Sequence, residues 1–108
     1  AGKLDHGEDP KVCAERELSE ETGLSADNVK HLISIHSAPG FCNEVLHLYM
    51  ASGLKEGQAH SDEDEFVACE KYPIKKLIEM ILSHEITDAK TIIGVLMADK
   101  IFNGEIKI

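Results

Sequence analysis

Residues 2–24 read GKLDHGEDPKVCAERELSEETGL, and the rest of the chain is organised around this stretch. Its fixed points are Gly2, then Glu8, then the run Arg16-Glu17-Leu18-Ser19-Glu20-Glu21-Thr22-Gly23-Leu24. Asp9 can act as N-cap, and Pro10 suits the first helical position because the N–H it lacks would have no partner there. Gly23 offers the left-handed residue that ends a helix. The spacing therefore predicts a helix over 10–22, with Ala14 and Leu18 on the face directed at the core. At about 100° per residue, Glu17 and Glu21 lie one turn apart on one face and Glu20 flanks them, so three carboxylates share a ridge. Like charges at this spacing, placed near a helix C-terminus, cost an isolated helix roughly a few tenths of a kcal/mol. A Glu-rich face can simply be solvated. A ridge that accepts these penalties also suits a hard divalent cation, and oxygen-only ligands fit Mg²⁺ or Mn²⁺.

The totals bound the answer. A chain of 108 residues with 43% hydrophobic and 29% charged residues is that of one small soluble domain. Its 20 acidic residues outnumber 11 basic ones, for a net charge of −9. Such a surface repels nucleic acid and anionic membrane, and no basic patch offsets it, so neither is expected as a partner. The acids concentrate in residues 5–21 and 62–65, where a cation could gather ligands. Cys13, Cys42 and Cys69 are odd in number, far apart and without a C-x-x-C pair. They read as reduced thiols in a cytoplasmic protein rather than as a disulfide or zinc site. The six histidines show no metal-ligand spacing, and no apolar run is long enough to span a membrane.

Beyond the helix, residues 24–28 read as a turn. Residues 29–36 alternate, with Val29, His31, Ile33 and Ile35 on one face, as a half-buried strand does. The Pro39-Gly40 pair predicts a tight loop over 37–43. Residues 44–51, EVLHLYMA, are apolar on both faces and read as an interior strand pairing antiparallel with the first. Residues 52–61 read as an exposed loop closed by Asp62-Glu63-Asp64-Glu65, followed by a strand over 66–70. A four-acid run is commonly a solvated tip; next to a strand, it can also be carried towards the acidic helix. A helix is expected from Pro73 to about Ser83, with Ile74, Leu77, Ile78, Ile81 and Leu82 at helical spacing. Another is expected from a cap at Thr87 or Asp88 to about Asn103, with Ile92, Ile93, Leu96 and Ile101 apolar and Gly104 ending it. Both helices are expected to cover the sheet.

Residues 2–24 resemble the Nudix box, G-x5-E-x7-R-E-U-x-E-E-x-G-U with U a bulky aliphatic, at every defined position. The resemblance extends over essentially the whole chain. Pro39, about sixteen residues beyond Gly23, and the run Pro39-Gly40-Phe41 with Asn43-Glu44-Val45 are similar to the ADP-ribose pyrophosphatase branch, as are the 62–65 acids and residues 86–91. The implied fold class is α/β, a mixed β-sheet sandwiched between α-helices. In this family, sheet strands of the same domain precede the box, whereas this chain opens at Ala1. Residues 1–108 are therefore expected to be the C-terminal portion of a Nudix domain, with the preceding strands and an N-terminal dimerisation region missing. A piece of this kind is expected to associate and to be a poor catalyst by itself.

The activity implied by the resemblance is Mg²⁺-dependent hydrolysis of ADP-ribose to AMP and ribose 5-phosphate, by a cytoplasmic homodimer acting on a small nucleotide. Glu17, Glu20 and Glu21 would be metal ligands, joined by the backbone carbonyl of Ala1. Glu20 and an acid of the loop, Glu63 ahead of Asp64 and Glu65, would serve catalysis by orienting or deprotonating water. Gly2, Pro39, Gly40 and Phe41 would meet the substrate, although an aromatic in such a loop can equally be packing. Gly2, Glu8, Arg16 and Gly23 would hold the box together. Two alternatives remain open: hydrolysis of another nucleoside diphosphate derivative, and a non-catalytic nucleotide-binding module of the same fold.

Overall fold

The signals in residues 9–23 act locally, and the helix they predict forms between the expected bounds. In the computed structural model, which describes residues 2–56 and 69–108, helix α1 spans Pro10–Thr22. The Asp9 carboxylate accepts from the Lys11 N–H at 3.0 Å, and Gly23, at φ 73°, donates its N–H to the Ser19 carbonyl. Strand β1 spans Leu24–His36 and strand β2 spans Val45–Glu56; helices α2 and α3 span Ile74–Leu82 and Ala89–Phe102. Asp88 caps α3 by accepting from the Thr91 N–H and Oγ1, and Gly104 follows the helix at φ 73°. Both caps stand where the sequence places them.

The strands depart from expectation. Residues 24–28, expected as a turn, belong to β1, and residues 52–56, expected as loop, belong to β2. The longer pairing brings the Asp27 carboxylate within 2.7 Å of the Lys55 ammonium. Gly53 sits there at φ 67°, so close that a Cβ on it would lie 2.8 Å from the Cβ of Asp27. Glycine thus permits both the backbone angle and the close approach.

The simple alternation of β1 also fails. Towards the tip, Ser34 hydrogen-bonds across to His47 at 2.7 Å. Further down, His31 meets Tyr49 edge-on at 5.4 Å between ring centroids. Leu32 and Ile33, neighbours in sequence, are both half-buried, while His31 is exposed. Among the described residues the sheet contains β1 and β2 alone, so β2, apolar enough for an interior strand, pairs on one side. The strand expected over 66–70 falls outside the described residues at 66–68, and Cys69 and Glu70 have no regular structure.

Contacts divide the chain into two units. One holds α1, β1 up to His31 and β2 from Tyr49; the other holds Leu32–Leu48 and Lys71–Ile108. In the first, Cys13 is buried against the loop that precedes α1, with Ala14 and Leu18 half-buried beside it. In the second, α2 packs on α3. Ile74, Leu77, Ile78 and Ile81 of α2 are half-buried, as are Ile92, Ile93 and Ile101 of α3. Leu82 and Leu96, expected on these apolar faces, are exposed. No helix among the described residues is long and apolar enough to cross a membrane.

Candidate active site

The loop before α1 turns back on itself because Gly7, at φ 75°, permits a tight turn in which the Glu8 N–H donates to the Asp5 carbonyl at 2.9 Å. The Glu8 side chain closes the turn by accepting from the Asp5 N–H at 2.9 Å. This leaves the Glu8 carboxylate facing α1, and Arg16 meets it with two parallel bonds, Nε to Oε2 and Nη2 to Oε1, both 3.1 Å. Such a fork is the strong geometry for a guanidinium and a carboxylate. The Arg16 hydrogen bonds, helped by the Asp5 N–H, hold the Glu8 carboxyl down at about 2, and Glu8 in turn raises the Arg16 pKa. Glu8 and Arg16, two of the residues expected to hold the box, are thus joined directly.

On its other edge the same guanidinium reaches the ridge. Arg16 Nη1 donates to Glu17 Oε1 at 3.1 Å and to Glu20 Oε2 at 3.1 Å. Two of the three predicted metal ligands thus point oxygens at a single cationic nitrogen. Gly2 lies against the end of the Glu17 side chain: a Cβ on that residue would overlap the Glu17 carboxylate where it now stands and displace it. Glu21 lies one turn beyond Glu17, half-buried.

Three participants were not singled out in the sequence. The Lys3 carbonyl accepts from Arg16 Nη2 at 3.2 Å and from the Cys13 thiol at 3.6 Å. Asp5 adds an ion pair with Arg16 at 3.7 Å. Cys13 sits three residues before Arg16 on the same face, and burial pushes its thiol pKa up, so the thiol stays protonated. A backbone carbonyl leaves no signal in a sequence; Cys13 could have been found from its spacing to Arg16.

The oxygen-only donors of the ridge fit a hard divalent cation. Among the described residues, however, no three His, Cys, Asp or Glu side chains are gathered around one point as a metal-binding group. Arg16 is the physical reason at Glu17 and Glu20: their oxygens are turned towards the guanidinium. Ala1, Glu63, Asp64 and Glu65, the remaining predicted ligand and catalytic acids, lie outside the described residues.

The predicted substrate loop belongs to the second unit. Ala38 accepts from the Phe41 and Cys42 N–H groups at 2.9 Å each, a turn with Pro39 and Gly40 at its centre. Ser37 ties the loop's base by donating to Glu44 Oε1 at 2.6 Å. Phe41 is 97% exposed, which removes packing as its role within the described residues.

Comparison with known proteins adds to this geometry. The NUDIX domain family matches residues 1–93. A methanol dehydrogenase activator of Bacillus methanolicus is 47% identical over 97 residues, which cover 88% of this chain and 52% of that protein. An ADP-ribose pyrophosphatase of Bacillus subtilis (strain 168) is 39% identical over 93 residues, covering 84% of this chain and 50% of that one. The chain spans about half the length of the curated relatives it matches. Among solved structures, an ADP compounds hydrolase superposes with a TM-score of 0.82 at 21% identity, covering 97% of this chain and 57% of the other, a likeness of fold.

Proposed function

The chain belongs to the Nudix family, and from that premise we propose that it is the C-terminal portion of the catalytic domain of a Mg²⁺-dependent pyrophosphohydrolase, one that cleaves ADP-ribose with water to AMP and ribose 5-phosphate. The observation that carries the reading is the ridge itself: Glu17, Glu20 and Glu21 all stand in the last two turns of α1, and Glu17 and Glu20 bring oxygens to 3.1 Å from the same Arg16 nitrogen. Glu17, Glu20 and Glu21, with the Ala1 carbonyl, would hold the metal; Mn²⁺ would substitute. Bound divalent ions would neutralise the two phosphates and make a water acidic enough to attack phosphorus.

The chain's own groups have separable roles. Arg16 and Glu8 fix the loop against α1, and Gly2 lets the backbone lie against Glu17 where a substrate phosphate would approach. Glu63, ahead of Asp64 and Glu65, would orient or deprotonate the water, with Glu20 as a further acid close to the reaction. Pro39, Gly40 and Phe41 would meet the substrate; an exposed aromatic on a braced turn offers a face on which a base can stack. The whole protein would be a cytoplasmic homodimer.

Support for ADP-ribose as substrate comes from the relative named for that activity and from the Pro39-Gly40-Phe41 loop. A second reading, hydrolysis of another nucleoside diphosphate derivative, is favoured by one observation: the relative at 47% identity carries a different name from the one at 39%. The box fixes the reaction type and leaves the group beyond the diphosphate to other surfaces. A non-catalytic module is disfavoured because Glu17, Glu20 and Glu21 are all present. The test is a panel of ADP-ribose, nucleotide sugars and oxidised nucleoside triphosphates offered to the intact protein in Mg²⁺. Preferred release of AMP from ADP-ribose is expected. Preference for another substrate would establish the second reading, and no turnover of any would leave the binding module.

A further inference from the structure

Below the turn that carries Phe41, a hydrogen bond joins side chains across the hairpin: Ser34 Oγ and His47 Nδ1 stand 2.7 Å apart. Three residues further towards the tip on each side, Ser37 meets Glu44, with its N–H on the Glu44 carbonyl at 3.3 Å and its hydroxyl on Oε1 at 2.6 Å. Beyond that, the Ala38 carbonyl takes the Phe41 and Cys42 N–H groups, and the Phe41 ring projects into solvent. The tip is fastened in series, and the Ser34–His47 bond is the first fastening.

Side chains alternate along a strand, so Ile33 and Ile35 share one face with Leu46 and Leu48, all half-buried, while Ser34 and His47 stand on the other, both exposed. Apolar burial holds the first face. On the second, water would satisfy a hydroxyl and an imidazole nearly as well as they satisfy each other, so their bond adds little to stability. What it adds is a fixed distance between the strands on the face that burial leaves loose. The bond forms with either imidazole tautomer, because the Ser34 hydroxyl can donate to Nδ1 or accept from it.

We propose that Ser34 and His47 are positioning residues for the substrate: their bond sets the twist of the hairpin just below the tip, and so the direction in which the Phe41 ring faces the nucleotide. The inference rests on Phe41 meeting the substrate, as argued above, and adds what aims it. A stack depends on the angle of the ring, and a ring held ready loses less freedom on binding than one its ligand must order. With 97% of its surface bare, Phe41 has no neighbour to hold it from the side. Its direction is inherited from the turn, and that of the turn from the two strands. A hairpin acts here as a lever: a small rotation between the strands at Ser34 and His47 becomes a larger displacement of the ring beyond them.

The test is a double-mutant cycle in the intact protein, read as steady-state kinetics on the substrate preferred in the panel above, with ADP-ribose expected. Ser34→Ala should raise KM about threefold, near the lower end of what one hydrogen bond contributes, with kcat unchanged. His47→Ala should match it, and Ser34→Thr, which keeps the hydroxyl, should restore the original KM. In a Phe41→Ala background, Ser34→Ala should add nothing, because the ring it aims is gone. An unchanged KM in Ser34→Ala, or the same rise with the Phe41 ring absent, overturns this inference and leaves the assigned reaction standing. An unchanged KM in Phe41→Ala overturns the role of Phe41 and this inference with it, and absence of turnover on every substrate overturns the proposed function as well.

Discussion

Around Arg16, side chains hold the chain; at the tip of the β1–β2 hairpin, the backbone does. In the loop before α1, the Glu8 fork, the Lys3 carbonyl and the Nη1 contacts to Glu17 and Glu20 leave every guanidinium donor engaged. At the tip, two N–H groups on the Ala38 carbonyl and the Ser37 N–H on the Glu44 carbonyl shape the turn, with one side-chain bond, Ser37 Oγ to Glu44 Oε1, at its base, and Phe41 projects from it 97% exposed. The first region spends its side chains on positioning other side chains. The second positions its aromatic with main chain and leaves that ring free to meet something else. Substitutions in the first should therefore disturb the ridge, whereas substitutions in the second should change what the protein binds while leaving its stability alone.

The sharpest contrast comes from Glu21→Gln. If Glu21 is a metal ligand as proposed, removing its carboxylate should lower kcat on ADP-ribose by about 100-fold or more in the intact protein, since even partners behind the ligands are worth roughly 10 to 100-fold. Steady-state assays at saturating Mg²⁺ measure this, and a loss below threefold would remove Glu21 from the site. Next in size is Gly2→Ala, whose Cβ would displace the Glu17 carboxylate. That carboxylate is the end of a flexible side chain, so the fold should survive with nearly unchanged Tm, while Mg²⁺ binding by calorimetry weakens about tenfold. A large fall in Tm with unchanged binding would show that the contact is structural.

Phe41→Ala should raise KM for ADP-ribose about fivefold, the lower end for loss of a base–aromatic stack. Tm should stay within error, because the ring touches little. A fall in Tm with KM unchanged would return Phe41 to a packing role and erase the contrast between the regions. The smallest effect concerns acid. The Glu8 carboxyl, lowered from 4.5 to about 2 by Arg16, contributes stability that is fully present above its unfolded value and is lost as pH falls through the folded one. The loop before α1 should thus loosen between about pH 4.5 and 2, seen as loss of protection at the Arg16 Nε–H. Glu8→Gln should remove that pH dependence.

The parts legible in the sequence are those set by neighbours along the chain. Asp9, Pro10 and Gly23 fix α1, and Asp88 and Gly104 bound α3, because caps act within a turn of helix. The box likewise brings Glu8 and Arg16 together, since helical spacing and one tight turn suffice. What the sequence hid depends on partners distant in the chain. Leu24–Asn28 looks like a turn until β2 pairs with it, and no local signal marks the break in alternation at Leu32 and Ile33. The Arg16 contacts to Glu17 and Glu20 were hidden for another reason. A ridge of three acids reads as open to a cation, and the nearest cation proves to be a side chain already present.

The central claim is that Glu17, Glu20 and Glu21 form a divalent-cation site, and direct Mn²⁺ binding tests it without reference to any substrate. Titrating the intact protein while following the electron paramagnetic resonance signal of free Mn²⁺ should show bound ion that Mg²⁺ displaces. Glu17→Gln and Glu21→Gln should each abolish at least one binding site. Mn²⁺ binding unchanged in both variants would contradict the account.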